Sequence, residues 1–228
     1  MTVQNYADEI RKDVIRMTYS AGNQGAHIGG SLSLCEIMAV LYHEVMTVDP
    51  ENLTSETRDR LILSKGHGAI ALYAVLKSIG VLSEAELETY KQNGSIITAH
   101  PTRILEKGLE FASGSLGQGL SIGVGVALGL KRKGNPARVF VIVGDGECDE
   151  GSVWEAAASA SHYGLNNLIC IIDKNQLQYD GNTQAILNMD SLAEKFRCFG
   201  WDAIEVDGHD CSALSTALPK KTVCSTQN

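Results

Sequence analysis

Positive charge is what this chain has least of. Its 228 residues carry 19 Lys and Arg against 27 Asp and Glu, a formal net charge of −8 at pH 7. That balance gives no footing to nucleic acid or to an anionic membrane surface as a partner. No run of 18 residues is apolar enough to span a bilayer. Six cysteines, at 35, 148, 170, 198, 211 and 224, include no C-x-x-C pair, which argues against a zinc site and for isolated thiols in a reducing compartment. The opening "MTVQNYADEIRKD" is charged from its start, unlike a secretory signal. Internal repeats, low-complexity stretches and interior linkers are absent too. The expectation is one cytoplasmic globular domain over residues 1–228, long enough for a full hydrophobic core.

What the chain does have is an alternation of strand and helix signals. Ile10, Val14 and Met17 recur at helical spacing and the run stops at Gly22. "SLSLCEIMAVLYHEVM" reads as a second helix with Ser31 or Ser33 as its cap, followed by a strand at "RLILS" and a helix at "AIALYAVLKSIG". Ser83 and Glu86 form a capping box opening "EAELETYKQNG". "SLGQGLSIGVGVALGLKRKG" is a Gly- and Ala-rich helix ending in cations that suit a helix C-terminus. "ARVFVIV" and "NLICIID" are continuous apolar runs, as strands buried on both faces require, and "GSVWEAAASASHYG" between them is long enough for a crossover. "WDAIEV" reads as a further strand, and no hairpin signal is noted. The fold class is therefore α/β: a single doubly wound domain with a mainly parallel central sheet.

"VIVGDGECDEG", Val141 to Gly151, then falls at the carboxyl end of a central strand, where open α/β sheets bind ligands. "DKNQLQYDG" falls at the end of the next strand, so Asp145 and Asn175, thirty positions apart, meet at one sheet edge. A carboxylate, an amide oxygen and a nearby backbone carbonyl make a hard-oxygen set suited to Mg²⁺ or Ca²⁺. From Val139 to Asp173 there is no Lys or Arg, so a phosphate here lacks the local lysine of a P-loop. A metal ion, with amides at the following helix start, would supply the countercharge. The alternative for Glu147 and Asp149, the weaker one, is that they are acidic residues complementing that helix's dipole. For Asp145 the dipole account is weaker, because a carboxylate ending a buried strand is costly without a partner. Among six histidines, His43 and His162 lie in amphipathic helical stretches and read as structural. His27, His67 and His100 each sit beside Gly or Pro at a segment boundary, or next to one, where side chains face clefts. His209 either caps the next helix or lines the site.

"GDGECDEGSVWEAAASASHYGLNNLICIIDKNQLQYDG" resembles the GDG…N motif of thiamine diphosphate enzymes, specifically transketolases. "GNQGAHIGGSLSLCEIMAVLY", "LSKGHGAIALYAVL", "AHPTR" and "GSLGQGLSIGVGVALG" are similar to further transketolase segments in family order, so the resemblance covers roughly residues 5 to 211. It implies Mg²⁺ or Ca²⁺ held by the Asp145 and Asn175 side chains and the Leu177 carbonyl. It further implies thiamine diphosphate lined by Gly114, Leu116 and the Gly146 backbone, and by His67. His27, His67 and His100 would line the catalytic channel, and Glu150 and Glu155 a subunit interface between paired cofactor sites. The activity implied is transfer of a two-carbon ketol unit from a ketose to an aldose.

Within that family the cofactor's pyrimidine ring is activated by a glutamate on a second domain, which finds no room here. The resemblance thus implies the N-terminal subunit of a split transketolase, inactive alone, with a separate C-terminal partner in a dimer of heterodimers. After "VDGHDCSALSTAL" the family pattern runs on through a strand and a histidine segment, where this chain has "PKKTVCSTQN"; residues 212–228 are expected to be an atypical, shortened tail. "LSKGHG" and "AHP" favour transketolase over a deoxyxylulose-phosphate synthase or a two-subunit 2-oxo acid dehydrogenase. A non-catalytic cofactor-binding or assembly subunit is the other alternative. "GVGVALG" suggests nicotinamide binding only weakly, since it follows helix formers rather than a strand, and close helix packing explains its glycines better.

Overall fold

The computed structural model describes residues 1–219. Three parallel strands form its central sheet in the order β1 (Arg60–Leu63), β2 (Val139–Gly144), β3 (Leu168–Asp173). Alternate residues of these strands feed two separate cores. Leu61, Leu63, Phe140 and Ile142 pack under α1 (Val3–Ser20), α3 (Cys35–Val40) and α4 (Ala69–Ser78). Ile62, Val139, Val141, Val143 and Leu168 pack against α6 (Gln118–Arg132), α7 (Gly151–His162) and α9 (Leu192–Cys198). Helices thus cover both faces of a parallel sheet, the doubly wound α/β class expected. The register pairs Gly144 with Asp173, so the ends of β2 and β3 coincide.

Several local expectations need correction. The helix read over residues 31–46 is broken into α2 (Ile28–Leu32), α3 and a π-turn at Leu41–Val45. Neither serine caps it: Ser31 Oγ donates to the His27 carbonyl and Ser33 Oγ to Asp173. The capping box of Ser83 and Glu86 forms as expected, but its helix, α5 (Glu84–Glu88), stops well short of Gly94. α6 starts at Gln118 rather than Ser115, because Gly117 takes φ +81° at its N-terminus. "WDAIEV" is no strand; Ile204 and Val206 are exposed, and the Ala203 carbonyl accepts from the Arg197 guanidinium instead of a ladder. A hairpin does occur, β4 (Leu177–Gln178) with β5 (Gly181–Asn182), turned at Tyr179–Asp180. Two short helices without a sequence-based expectation follow, α8 (Thr183–Ile186) and α9.

Cys35, Cys148 and Cys211 are buried and Cys198 is exposed, all as free thiols. Asp210 caps α10 (Cys211–Ala217), accepting from the Ser212 and Ala213 amides, so His209 is not that cap. Of the tail 212–228, residues to 219 are described; Cys224 and its neighbours lie outside the described residues.

Candidate functional site

Three loops deliver the histidines to one place. His27 precedes α2, His67 sits in the Gly66–Gly68 turn that follows β1, and His100 lies just before Pro101. The His27 ring centroid is 5.7 Å from that of His67 and 5.8 Å from that of His100. Glycine makes the approach possible: a Cβ on Gly30 would stand 2.7 Å from His67 Cδ2. Burial, the Lys65 ammonium and the two other rings push His67 down to about 4. Burial and His27 likewise lower His100. Both rings are therefore neutral near pH 7, able to accept or donate a hydrogen bond. Gly114 stands beside His100 at φ +154°, its Cβ position 3.7 Å from the ring, with exposed Leu116 next along the loop. His43 is structural as expected, stacked on Tyr6 and bonded to Ser78. His162 ends α7 against Tyr163.

The structure also brings Asp145 and Asn175 together. The Asp145 carboxylate accepts from the Gly146 amide at 3.0 Å and from the Gln176 amide, next to Asn175, at 2.7 Å. The Asn175 amide oxygen accepts from the Leu177 amide at 2.9 Å, pinning the turn that carries the expected third donor. Asp145 is only 6% exposed, no Lys or Arg among the described residues pairs with it, and burial pushes its carboxyl up. A buried carboxylate with no cation, beside an amide oxygen and a backbone carbonyl, fits a hard divalent ion. Cofactor fit rests on other observations. Ser113 Oγ is buried without a hydrogen-bond partner, and a Cβ on Gly66 would stand 2.5 Å from it. A Cβ on Gly146 would meet the Gln178 side chain at 2.5 Å, so the glycine lets that side chain pack against the turn after β2. The unspent buried hydroxyl of Ser113, next to the Gly114 loop, is a donor an anionic ligand could use.

Sequence reasoning misses the roles of three buried charged residues, Glu147, Lys65 and Asp173. Glu147 does not face a ligand: its carboxylate accepts from Ser64 Oγ, the Gly117 amide at 2.7 Å and the Gly144 amide at 3.0 Å. It clamps the end of β2 to the start of α6, which is neither a ligand contact nor a helix-dipole role. Lys65 is wholly buried and ion-paired with Asp173, which also accepts from Ser33 Oγ at 2.7 Å. The signal was available: Lys65 follows one apolar run and Asp173 ends another, at matching strand ends. Glu150 at the N-cap of α7 and Glu155 within it are both exposed; Glu150 packs against Gly117, whose Cβ position lies 2.7 Å from its own Cβ.

The family described as "Transketolase, thiamine diphosphate binding domain" matches residues 3–226. The chain belongs to the transketolase family. Among relatives it is 41% identical to the 6-deoxy-6-sulfo-D-fructose transketolase subunit SqwG of Clostridium sp. (strain MSTE9), covering 95% of this chain and 78% of that protein. It is 38% identical to an apulose-4-phosphate transketolase subunit of Phocaeicola vulgatus, covering 92% and 73%. The transketolase from Leishmania mexicana superposes with a TM-score of 0.88 at 30% identity, covering 96% of this chain. This chain spans 34% of that transketolase's length. In the transketolase family the described domain is the one that binds thiamine diphosphate. No helix among the described residues is long and apolar enough to cross a membrane.

Proposed function

We propose that this chain is the N-terminal, diphosphate-binding subunit of a split, metal-dependent transketolase. The observation that supports the reading is that Asp145 and Asn175 follow β2 and β3 while Asp173 links that edge through Lys65 to the turn of His67 in the histidine cluster, in a transketolase-family chain. Support for a split enzyme comes from relatives named as transketolase subunits. Asp145, Asn175 and the Leu177 carbonyl would hold Mg²⁺ or Ca²⁺, and Gly114, Leu116, Gly146 and His67 would line the cofactor. Bound thiamine diphosphate supplies the carbon nucleophile that carries a two-carbon ketol unit from a ketose to an aldose.

Around that chemistry the chain's residues bind, orient and move protons. His27, His67 and His100, two of them held neutral, would hydrogen-bond sugar hydroxyls and stabilise developing oxyanions. Glu150 and Glu155, on the exposed side of α7, would meet a second copy in a dimer of heterodimers. Substrates would be a sugar or sugar phosphate, and the setting cytoplasmic.

The test is co-purification with the partner subunit followed by a ketol-transfer assay. Transfer is expected from the pair with thiamine diphosphate and Mg²⁺, and none from this chain alone. A pair that binds the cofactor but transfers no ketol unit would instead favour an assembly subunit.

A further inference from the structure

We propose that the buried Lys65–Asp173 ion pair is a positioning pair for the histidine cluster, fixing the turn that carries His67 and holding a positive charge beside its ring. The proposal rests on the reading of His67 as a residue of the cofactor and substrate site. Lys65 lies two residues past β1 and the turn Gly66–Gly68 begins at the next residue, so whatever anchors Lys65 anchors that turn. Its side chain is 0% exposed. A Cβ on Gly30 would lie 2.7 Å from His67 Cδ2 and 3.7 Å from Lys65 Nζ, which puts ring and ammonium against the same glycine. A Cβ on Gly68 would lie 3.6 Å from Lys65 Cε, so the aliphatic stem passes beneath the turn.

Asp173 gathers the rest. One oxygen, Oδ2, accepts from Lys65, from Ser33 Oγ at 2.7 Å and from Asn175 Nδ2 at 3.4 Å. It thereby ties the His67 turn to the junction between α2 and α3 and to the loop of Asn175. Apolar residues of similar volume would often serve stability as well as a buried ion pair. What they could not supply is charge at this position. The charged and titratable groups facing His67 are Lys65, His27, His100 and Asp173; the first three add to burial in disfavouring its protonation, and Asp173 opposes them. Lys65 thus adds to burial, the larger effect, in keeping an acceptor nitrogen available on His67 at neutral pH.

Charge and packing are separable by sign. His67 is titrated by its ring NMR signal in the full 228-residue chain without cofactor, with His67→Gln giving the assignment. Lys65→Met leaves the Asp173 anion facing the ring and should raise the midpoint by on the order of half a pH unit or more. Asp173→Asn leaves the ammonium unneutralised, so His67 should stay unprotonated at about pH 4, where half the wild-type rings have titrated. Loosened packing would instead move both variants upward, toward an ordinary histidine. Shifts in the same direction, or none, overturn the proposal. If a single variant fails to fold, Lys65→Arg must keep the wild-type midpoint while Lys65→Met/Asp173→Asn, which buries no lone charge, must raise it; any other result overturns it. Thiamine diphosphate binding is measured separately on the wild type with Mg²⁺. Opposed shifts without binding would leave the charge pair standing and remove the site reading; binding without the shifts would do the reverse.

Discussion

Asp145 and Glu147 stand two positions apart, both buried, and their fates differ by what they touch. Asp145 accepts two amides and pairs with no Lys or Arg among the described residues, and under the proposed function a divalent ion would be its partner. Asp145→Asn should weaken thiamine diphosphate binding at least tenfold in the presence of Mg²⁺, on the order of 1.4 kcal/mol. Calorimetric titration with Mg²⁺ and with a chelator checks this; equal affinity in both would refute the metal's role. Glu147 answers only its own chain. Glu147→Ala strips partners from Ser64, Gly117 and Gly144 and should cost about 2–3 kcal/mol of stability, read by denaturant melts, whether or not metal is present.

His67 makes a pH prediction at the same scale. Its folded pKa, about 4, lies below the ordinary 6.5, so the unfolded chain binds the extra proton between those values. Stability is therefore full above about pH 6.5 and falls as pH drops toward 4. Melting temperatures at pH 7 and pH 4.5 should differ less in His67→Gln than in the wild type. An equal or larger loss in the variant would contradict the burial assigned to this ring.

At the scale of elements, the three parallel strands and their covering helices were legible because buried strands and crossover helices carry unmistakable apolar runs. Lys65 and Asp173 were visible as charges ending apolar runs, but that they pair became clear only when the register aligned the ends of β1 and β3 on either side of β2. "WDAIEV" alternates like a strand, yet alternation cannot create a ladder partner, and its apolar side chains stay exposed. The hairpin at Leu177–Asn182 was missed because its strands are two residues each, below the length at which periodicity speaks. That Asp145 and Asn175 come to one sheet edge was readable from spacing alone; the clamp by Glu147 needed α6 to be placed. Glycines in α6 divide by contact rather than by motif. A Cβ on Gly123 would stand 2.5 Å from Val141 Cγ2, whereas one on Gly125 would meet nothing within 4 Å. Gly123→Ala should destabilise by about 1–3 kcal/mol, and Gly125→Ala should stabilise by about 0.5–1 kcal/mol. Thermal melts of the two variants check the contrast, and similar effects from both would contradict helix–sheet contact as the reason for the glycines.

For the whole molecule, the loops that carry the site also carry unburied apolar side chains. Leu116 is 37% exposed, Leu177 65% and Tyr179 99%; they lie along the loops of Gly114 and Asn175 and in the hairpin whose Gln178 packs on Gly146. Exposed apolar side chains grouped around polar ligands mark surfaces that another chain covers. Under the proposed assembly, the partner subunit closes the cofactor site over this end while α7 faces a second copy. Amide exchange should then slow over residues 114–117 and 177–182 when partner, cofactor and Mg²⁺ are added together. Glu155, exposed on α7, has no described tie to the Asn175 loop, so Glu155→Ala should leave that protection in place while lowering sedimentation mass or cofactor occupancy. Unchanged mass together with unchanged occupancy would place the copy-to-copy contact elsewhere than α7.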